Sequence, residues 1–196
     1  MMTDNVLDTL FRSARSHNGW LNRSVDESTL LALYELVKWG PTSANCCPMR
    51  IVFVRSDEGR ARLRPWLSPG NVDKVMGAPV TAIIGYDLAF HEQLPRLFPH
   101  RPELRASFEG PDNTHHAEQT AFRNGCLQAG YFIMASRALG LDCGPMSGFD
   151  MEGVDKAFWA GTTVRTNILC NLGYGDPEKL FGRLPRLDFN EVCRFD

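Results

Sequence analysis

The pattern of apolar and polar residues along the chain predicts a helix most clearly at residues 24–39. Apolar side chains recur there at helical spacing, at Leu30, Leu33, Tyr34 and Val37. Ser24 and Glu27 have the spacing of a capping box at the start of this helix. We expect Gly40 to end this helix in a left-handed conformation. Pro41 prevents the helix from continuing.

Helical and strand-like patterns alternate irregularly along the rest of the chain. Two further helices are predicted at residues 115–139 and 151–160, and short apolar runs predict strands at 50–55, 78–87 and 164–173. Asp150 is the expected N-cap of the helix that stops at Gly161. Several helices among about four strands favour an α+β fold with a mixed sheet, in one domain spanning residues 1–196.

The C-terminal segment, residues 176–196, has several turn-forming residues and little helical periodicity. An irregular arm of this length is uncommon inside a compact monomer. We therefore expect it to wrap around a partner subunit. The preceding 115–139 helix is small and apolar in its second half, so we expect it to be central and covered on most sides.

Composition predicts a soluble globular protein in the cytoplasm. Hydrophobic residues make up 43% and charged residues 22%, and 21 basic against 23 acidic side chains give a net charge of −2. The chain has no basic stripe of the kind that binds nucleic acid. No apolar run approaches the roughly 20 residues that span a bilayer. Residues 1–13 lack a continuous apolar stretch, so we expect no signal peptide.

The spacing of residues along the chain does not match several common metal-binding, cofactor-binding and catalytic motifs. The six cysteines show no CxxC pattern, so we expect free thiols and no metal site. His115 and His116 are neighbours whose side chains diverge by about 100° on a helix, which disfavours a shared metal. The sequence GYGDP at 173–177 lacks the third glycine of a dinucleotide fingerprint, and Pro145 stands where a serine nucleophile elbow requires glycine.

What remains is a set of five polar segments, each of which alone is an ordinary turn signal. They are ARSHN at 14–18, PTSAN at 41–45, GNVDK at 70–74, GPMSGF at 144–149 and GRLPR at 182–186. Two arginines could pair with a phosphate, while hydroxyl and amide side chains could meet ligand hydroxyls and a heterocycle. Exposed backbone N–H groups around residues 146–148 would complete a polar, planar binding face.

In this order, the segments make the chain similar to the FMN-dependent nitroreductase family. The resemblance rests on RS at 15–16, PTSANCCP at 41–48, NVDK at 71–74 before APV at 78–80, GLDCGPMSGF at 140–149 and RLP at 183–185. It runs nearly end to end. HNGW at 17–20, KWGPTSANC at 38–46, QTAFRN at 119–124, GPMSGFD at 144–150 and RLPRL at 183–187 resemble the branch assigned as malonic semialdehyde reductase.

The resemblance implies an intertwined homodimer with two FMN sites, each built from both chains. The implied cofactor-binding residues are Arg15, Ser16, Asn18, Pro41, Thr42, Ser43, Asn45, Asn71, Lys74, Pro145, Met146, Ser147, Gly148 and Arg183. Arginines 15 and 183 would hold the phosphate, residues 41–45 would come from the partner, and Asn71 with Lys74 would face the pyrimidine edge. The backbone at 146–148 would approach N5 and O4.

The resemblance further implies hydride transfer from NADH or NADPH through flavin N5 to an acceptor in the same pocket. Lys74 would stabilise the reduced ring. The acceptor is malonic semialdehyde, giving 3-hydroxypropionate, or more generally a quinone, nitro or other carbonyl compound. A non-catalytic FMN-binding protein and a purely structural or interaction domain are the alternatives from other classes.

Four positions depart from the pattern common in the family. Many members carry a second Arg at Ala14, a basic residue at Asn18, Gln at Cys47 and often Glu at Ser147. Fewer cations predict weaker phosphate anchoring and less positive charge beside the reduced flavin. Residues 96–113 are either a lid or a solvated loop; as a lid, the stretch from Arg96 to Arg105 would supply a cation for a carboxylate substrate.

Overall fold

The computed structural model describes residues 3–196, and its centre is one four-stranded sheet. The strands are β1 (Met49–Val54), β2 (Val80–Asp87), β3 (Asp142–Met146) and β4 (Val164–Gly173). Their order is β1-β2-β4-β3, and every neighbouring pair is antiparallel. The expected mixed sheet is thus corrected to an antiparallel one, and within residues 3–196 the parallel pairing recorded is a single bridge between Ser16 and Cys143.

Eight α-helices and several short 3₁₀ turns surround the sheet in the described part of the chain. The helices are α1 (Asp4–Leu7), α2 (Glu27–Val37), α3 (Asp57–Leu63), α4 (Pro69–Met76), α5 (Leu94–Leu97), α6 (Thr114–Ala138), α7 (Met151–Phe158) and α8 (Phe189–Val192). A π-helical turn at Asp8–Arg12 extends α1, so residues 3–13 are helical in large part. Residues 1 and 2 of the segment examined for a signal peptide lie outside the described residues.

The two faces of the sheet carry two separate cores, because side chains alternate along each strand. On β4, Ile168, Cys170 and Leu172 face the core that contains α2 and α6. Leu169 faces the opposite core, which contains α3, α4 and α7. Strand β4 is therefore buried on both faces.

Helix α6 is less covered than expected. Small residues, among them Ala121 and Ala129, bring its inner side close to the sheet. Its outer side exposes three large side chains, Phe122, Leu127 and Tyr131. The single chain leaves this apolar face without a cover.

The start and end of α2 differ from the expected caps. Its N-cap is Asp26, so the Ser24–Glu27 capping box does not form. Gly40 does not adopt a positive φ. Its lack of a side chain matters for a different reason: a Cβ at residue 40 would lie 2.9 Å from Cγ of Tyr131. The glycine permits close approach of α6 rather than a left-handed turn.

Capping at α7 was predicted correctly and offers a stability test with a matched control. Asp150 accepts a hydrogen bond from the Gly153 N–H at 3.2 Å, whereas Asp26, the N-cap of α2, makes no side-chain cap bond. We expect Asp150→Ala to lower the free energy of unfolding by about 1 kcal/mol and Asp26→Ala by a few tenths. Urea unfolding at one protein concentration measures both; equal losses would mean that the cap bond contributes nothing.

Candidate functional site

The segment 14–18 lies along the outer edge of β3. The N–H of His17 donates to the carbonyl of Cys143 at 2.9 Å, and Ser16 forms the parallel bridge to the same residue. Asn18 follows, half-buried. Strand β3 then continues into residues 145–148, so two of the five predicted polar segments share one edge of the sheet.

The two predicted phosphate-binding arginines hold the start of the C-terminal segment against residues 12–15. Arg15 Nη2 donates to the carbonyl of Phe181 at 2.5 Å. Arg183 Nη2 donates to the carbonyls of Arg12 at 2.8 Å and Ala14 at 3.0 Å. Within residues 3–196 neither guanidinium lies within 4.0 Å of a carboxylate. Both positive charges and their remaining N–H groups are thus available to an anion.

Helix α4 presents Asn71 and Lys74 to the residues that follow β3. The Asn71 amide donates to the Gly148 carbonyl at 2.9 Å, and Lys74 Nζ donates to the Asn71 Oδ1 at 3.3 Å. A Cβ on residue 148 would lie 2.6 Å from the Asn71 Nδ2, so glycine is required for this contact. The predicted pair of an amide and a cation therefore exists, one helical turn apart.

The strand end beside them leaves its polar backbone accessible. Pro145 and Ser147 are exposed, and Met146 and Gly148 are half-buried. The Ser147 carbonyl accepts the Phe149 N–H at 3.1 Å and the Gly148 carbonyl accepts the Ser68 N–H at 3.1 Å, which fixes the direction of this short stretch. This partly exposed stretch therefore lies beside Asn71, and its role in binding a planar ligand stays a prediction.

A buried histidine, which sequence analysis did not single out, joins these parts. His17 is 8% exposed, and its Nε2 lies 3.3 Å from Asp142 Oδ1. The other Asp142 oxygen accepts the Gly175 N–H at 2.8 Å, and a Cβ on Gly175 would overlap the imidazole ring. His17 thus ties segment 14–18 to β3 and to the chain that leads into the C-terminal segment.

The segment 41–47, which the resemblance assigns to the partner's flavin, makes its contacts with other parts of the fold. The Ser43 N–H donates to Asn124 Oδ1 at 2.8 Å, and Asn45 Nδ2 donates to the Leu97 carbonyl at 2.9 Å. The Thr42 hydroxyl accepts the Cys47 N–H at 3.2 Å, and Pro41 is exposed. No hydrogen bond among residues 3–196 joins this segment to the cluster around residues 14–18, 71–74 and 145–148.

Two buried amides on α6 hold segment 41–49, and sequence analysis missed both. Asn124 and Gln128 are each 3% exposed, and the Gln128 Oε1 accepts the Met49 N–H at 2.9 Å. They lie four residues apart on one face of the helix. The signal in the sequence was two polar residues at helical spacing among small apolar ones, which is the pattern of a buried polar contact.

The vicinal thiols differ in burial: Cys46 is buried and Cys47 is half-buried. Burial raises the pKa of Cys46 to about 11, against a lowering effect of its hydrogen bond with Thr42, so this thiol is protonated at neutral pH. All six cysteines are free, and among residues 3–196 no group of three potential ligands could hold a metal ion. The expectation of free thiols agrees with this geometry.

Comparison with known proteins shows the family of this chain. The nitroreductase family model matches residues 12–174. The chain belongs to the nitroreductase family. A relative from Cupriavidus pinatubonensis, named as a candidate NADH dehydrogenase/NAD(P)H nitroreductase, is 60% identical over 194 residues, which are 99% of each protein. A similarly named relative, HadB of Ralstonia pickettii, is 58% identical over 95% of each protein.

Solved nitroreductases share the fold at low sequence identity. A Bacillus subtilis nitroreductase crystal structure superposes with a TM-score of 0.89 at 20% identity, over 99% of this chain and 100% of that one. One from Exiguobacterium sibiricum, solved in complex with FMN, gives 0.86 at 17% identity, over 100% and 99%. In residues 3–196, no helix is long and apolar enough to cross a membrane.

The Gln128 contact gives a prediction about segment 41–49. Gln128→Leu keeps the side chain's size but leaves the buried Met49 N–H without its acceptor, so we expect a loss of about 1–3 kcal/mol in unfolding free energy. Gln119→Leu changes an exposed glutamine of the same helix and should stay within about 0.5 kcal/mol. Denaturant unfolding measures the unfolding free energy of both variants. If Gln128→Leu leaves it unchanged, this amide does not hold the segment.

Proposed function

We propose that this protein is an FMN-dependent NAD(P)H oxidoreductase. The observation that carries the proposal is the grouping of predicted ligand residues from four separate parts of the chain. Asn71 contacts the end of β3, segment 14–18 lies along that strand, and Arg183 binds the same segment. A set of two unpaired guanidiniums, a hydroxyl, an amide and an ammonium group has the chemistry that a flavin phosphate and a heterocycle require.

In this proposal each part of the cluster binds one part of FMN. Arg15 and Arg183 hold the phosphate, with Ser16 and Asn18 beside them. Asn71 donates to the pyrimidine edge, and the backbone from Pro145 to Gly148 binds near the reactive side of the ring. When bound, FMN supplies the chemistry of accepting a hydride from NADH or NADPH and passing it to an oxidised acceptor.

Lys74 is the residue that we assign to electrostatic stabilisation. Reduced flavin carries negative charge at N1 and O2, and a fixed ammonium group beside that edge favours the reduced state. The side chain has Asn71 as its hydrogen-bond partner, and in the described residues no carboxylate within 4.0 Å neutralises it. The Lys74 backbone carbonyl is fixed by the Trp20 indole at 3.2 Å and the Asn171 amide at 3.0 Å.

A homodimer completes the proposed site, since one chain keeps its two ligand clusters apart. Strand β1 ends the sheet, and beside it a groove of about 700 Å³ is lined by apolar side chains that include Leu31, Tyr34 and Phe53. The C-terminal segment exposes six large apolar side chains, Phe181, Leu184, Leu187, Phe189, Val192 and Phe195. We propose that this arm of one chain covers the β1 edge of the other and that segment 41–45 reaches the partner's FMN.

The acceptor that we propose first is malonic semialdehyde, reduced to 3-hydroxypropionate. Its support is the resemblance of HNGW at 17–20, GPMSGFD at 144–150 and RLPRL at 183–187 to that branch. General reduction of nitro compounds and quinones is the second candidate, and the names of the relatives favour it. The cytoplasm is the compartment we propose for either activity, because its reducing environment suits six free thiols.

An absorbance experiment tests the activity and separates the candidates. We expect protein incubated with FMN and desalted to stay yellow, to bleach anaerobically with NADPH or NADH, and to recover its colour with malonic semialdehyde. Recovery with nitroaromatics or quinones alone would favour the general reductase. Retained colour that resists both nicotinamides would indicate a binding protein, and absence of retained flavin would refute the proposal.

The same experiment with a variant tests Lys74. Lys74→Gln keeps hydrogen-bonding capacity but removes the charge, so flavin reduction by NADPH should slow about tenfold. Lys156→Gln removes an exposed ammonium group on α7 and should reduce at the original rate. Stopped-flow absorbance on flavin-loaded protein gives both rates, and equal rates would remove Lys74 from the mechanism.

Sedimentation velocity tests the arm. Leu187 and Val192 are 66% and 61% exposed in the single chain, and Met151 on α7 is 55% exposed. If the arm docks on a second chain, Leu187→Asp with Val192→Asp should shift the protein towards monomer, because charge replaces buried apolar surface. Met151→Asp should leave the dimer intact, and an unchanged dimer in the double variant would contradict docking through the arm.

A further inference from the structure

A second positively charged cavity lies beside segment 41–47. It has a volume of about 580 Å³ and lies between α2, the start of β1 and α5. Its charged and amide side chains are six, Lys38, Asn45, Arg50, Gln93, Arg96 and Gln128. No carboxylate lines it within the described residues. Three cations facing one cavity without an acidic residue favour an anionic occupant.

Two of these three charges are already neutralised. Arg50 Nη2 pairs with Asp87 at 2.6 Å, and its Nη1 donates to the carbonyls of Cys47 and Met49. Lys38 forms an ion pair with Glu35 of the same helix. Both side chains therefore have carboxylate partners, Glu35 and Asp87, that do not belong to the cavity lining.

Arg96 has no such partner. Its hydrogen bond in the described residues is Nη2 to the neutral Gln93 Oε1 at 3.2 Å, and no carboxylate there lies within 4.0 Å of it. The residue is exposed and belongs to α5, where Pro95 begins the turn. The excess positive charge of the cavity is therefore that of Arg96, whose guanidinium fork suits a carboxylate.

The cavity adjoins a cluster that the proposed function uses. Asn45 lines it and at the same time donates to the carbonyl of Leu97, the residue next to Arg96. A direct hydrogen bond thus joins segment 41–45 to α5, the helix that carries Arg96. An acceptor bound at Arg96 would lie beside the part of the chain that we assign to the partner's FMN.

We propose that this cavity binds the carboxylate of a small anionic acceptor, with Arg96 as its ion-pairing residue. The proposal rests on the proposed function and names its substrate class: carboxylate-bearing aldehydes or nitro compounds rather than neutral ones. The cavity's size lies in the range of small-molecule sites. Arg96 acts in binding and specificity, and the hydride chemistry remains that of the proposed site.

A pair of acceptors that differ in charge tests this assignment. 4-Nitrobenzoate and its methyl ester share the reducible nitro group, but only the first is an anion. In flavin-loaded protein with NADPH, Arg96→Gln should lower the ratio of kcat/KM for the acid to that for the ester about tenfold. The matched control is Arg101→Gln, whose arginine is paired with Glu103 and lies outside the cavity lining; it should leave the ratio unchanged.

Binding without turnover gives a second readout. Benzoate has the carboxylate but no nitro group to be reduced. Calorimetric titration with benzoate should show about tenfold weaker binding to Arg96→Gln than to the original protein or to Arg101→Gln. An unchanged benzoate affinity and an unchanged acid-to-ester ratio would overturn the anion site. The titration does not depend on turnover, so it still decides if neither nitro compound is reduced.

The outcomes also separate this inference from the proposed function. Reduction of the ester with no effect of Arg96→Gln would leave the oxidoreductase proposal standing and remove the anion site. A shift of Arg96→Gln to monomer, with unchanged benzoate binding, would instead assign Arg96 to the partner arm, which carries Asp188 and Glu191. That result too would overturn the inference.

Discussion

The candidate site depends on one buried amide in the central strand. Asn171 on β4 is fully buried; its oxygen accepts from the Thr81 hydroxyl at 2.7 Å and its nitrogen donates to the Lys74 carbonyl at 3.0 Å. Thr81 is its direct cross-strand partner on β2. The amide thus joins two strands to the last turn of α4. A buried polar group costs roughly 1–3 kcal/mol when unpaired, so this geometry is strongly specified.

From that fixed point the rest of the cluster is positioned by short contacts. Because the last turn of α4 cannot shift against the sheet, Asn71 one turn earlier reaches the Gly148 carbonyl. Strand β3 carries this carbonyl on one side of β4 and the 14–18 segment on its outer edge. The register of the sheet therefore determines where both predicted ligand segments lie. Arg15 and Arg183 then attach the C-terminal segment to residues that the sheet has already positioned.

Sequence patterns predicted the elements whose periodicity is strong and missed those that depend on distant contacts. Strand β4 was predicted at its observed bounds, and Gly140 ends α6 closely as expected. Strand β3 was read as a turn because it contains Gly144 and Pro145; an edge position tolerates that proline. Gly40 was read as a left-handed cap, although what it permits is the approach of Tyr131, which sequence does not reveal.

The site followed the same rule. Motif order predicted the ligand residues, but it did not predict the contacts that support them: Asn124 contacts a residue 81 positions away and Gln128 one 79 positions away. No local pattern encodes such a partner. His17 was passed over because one histidine in a polar segment is unremarkable until Asp142 and Gly175 are placed beside it. Local propensity thus predicted the turns that we assign to the site, while tertiary contacts define their geometry.

Segment 41–47 shows what that support achieves. Ala44, Asn45 and Cys47 all have positive φ, at 49°, 49° and 41°, although none is glycine. Left-handed backbone costs a non-glycine residue roughly 1–2 kcal/mol, so three in four positions persist only where the surroundings fix them. Contacts from Asn124, Leu97 and Thr42 do so within one chain. The segment is therefore shaped within one chain, so in the proposed dimer association need only bring two preformed halves together.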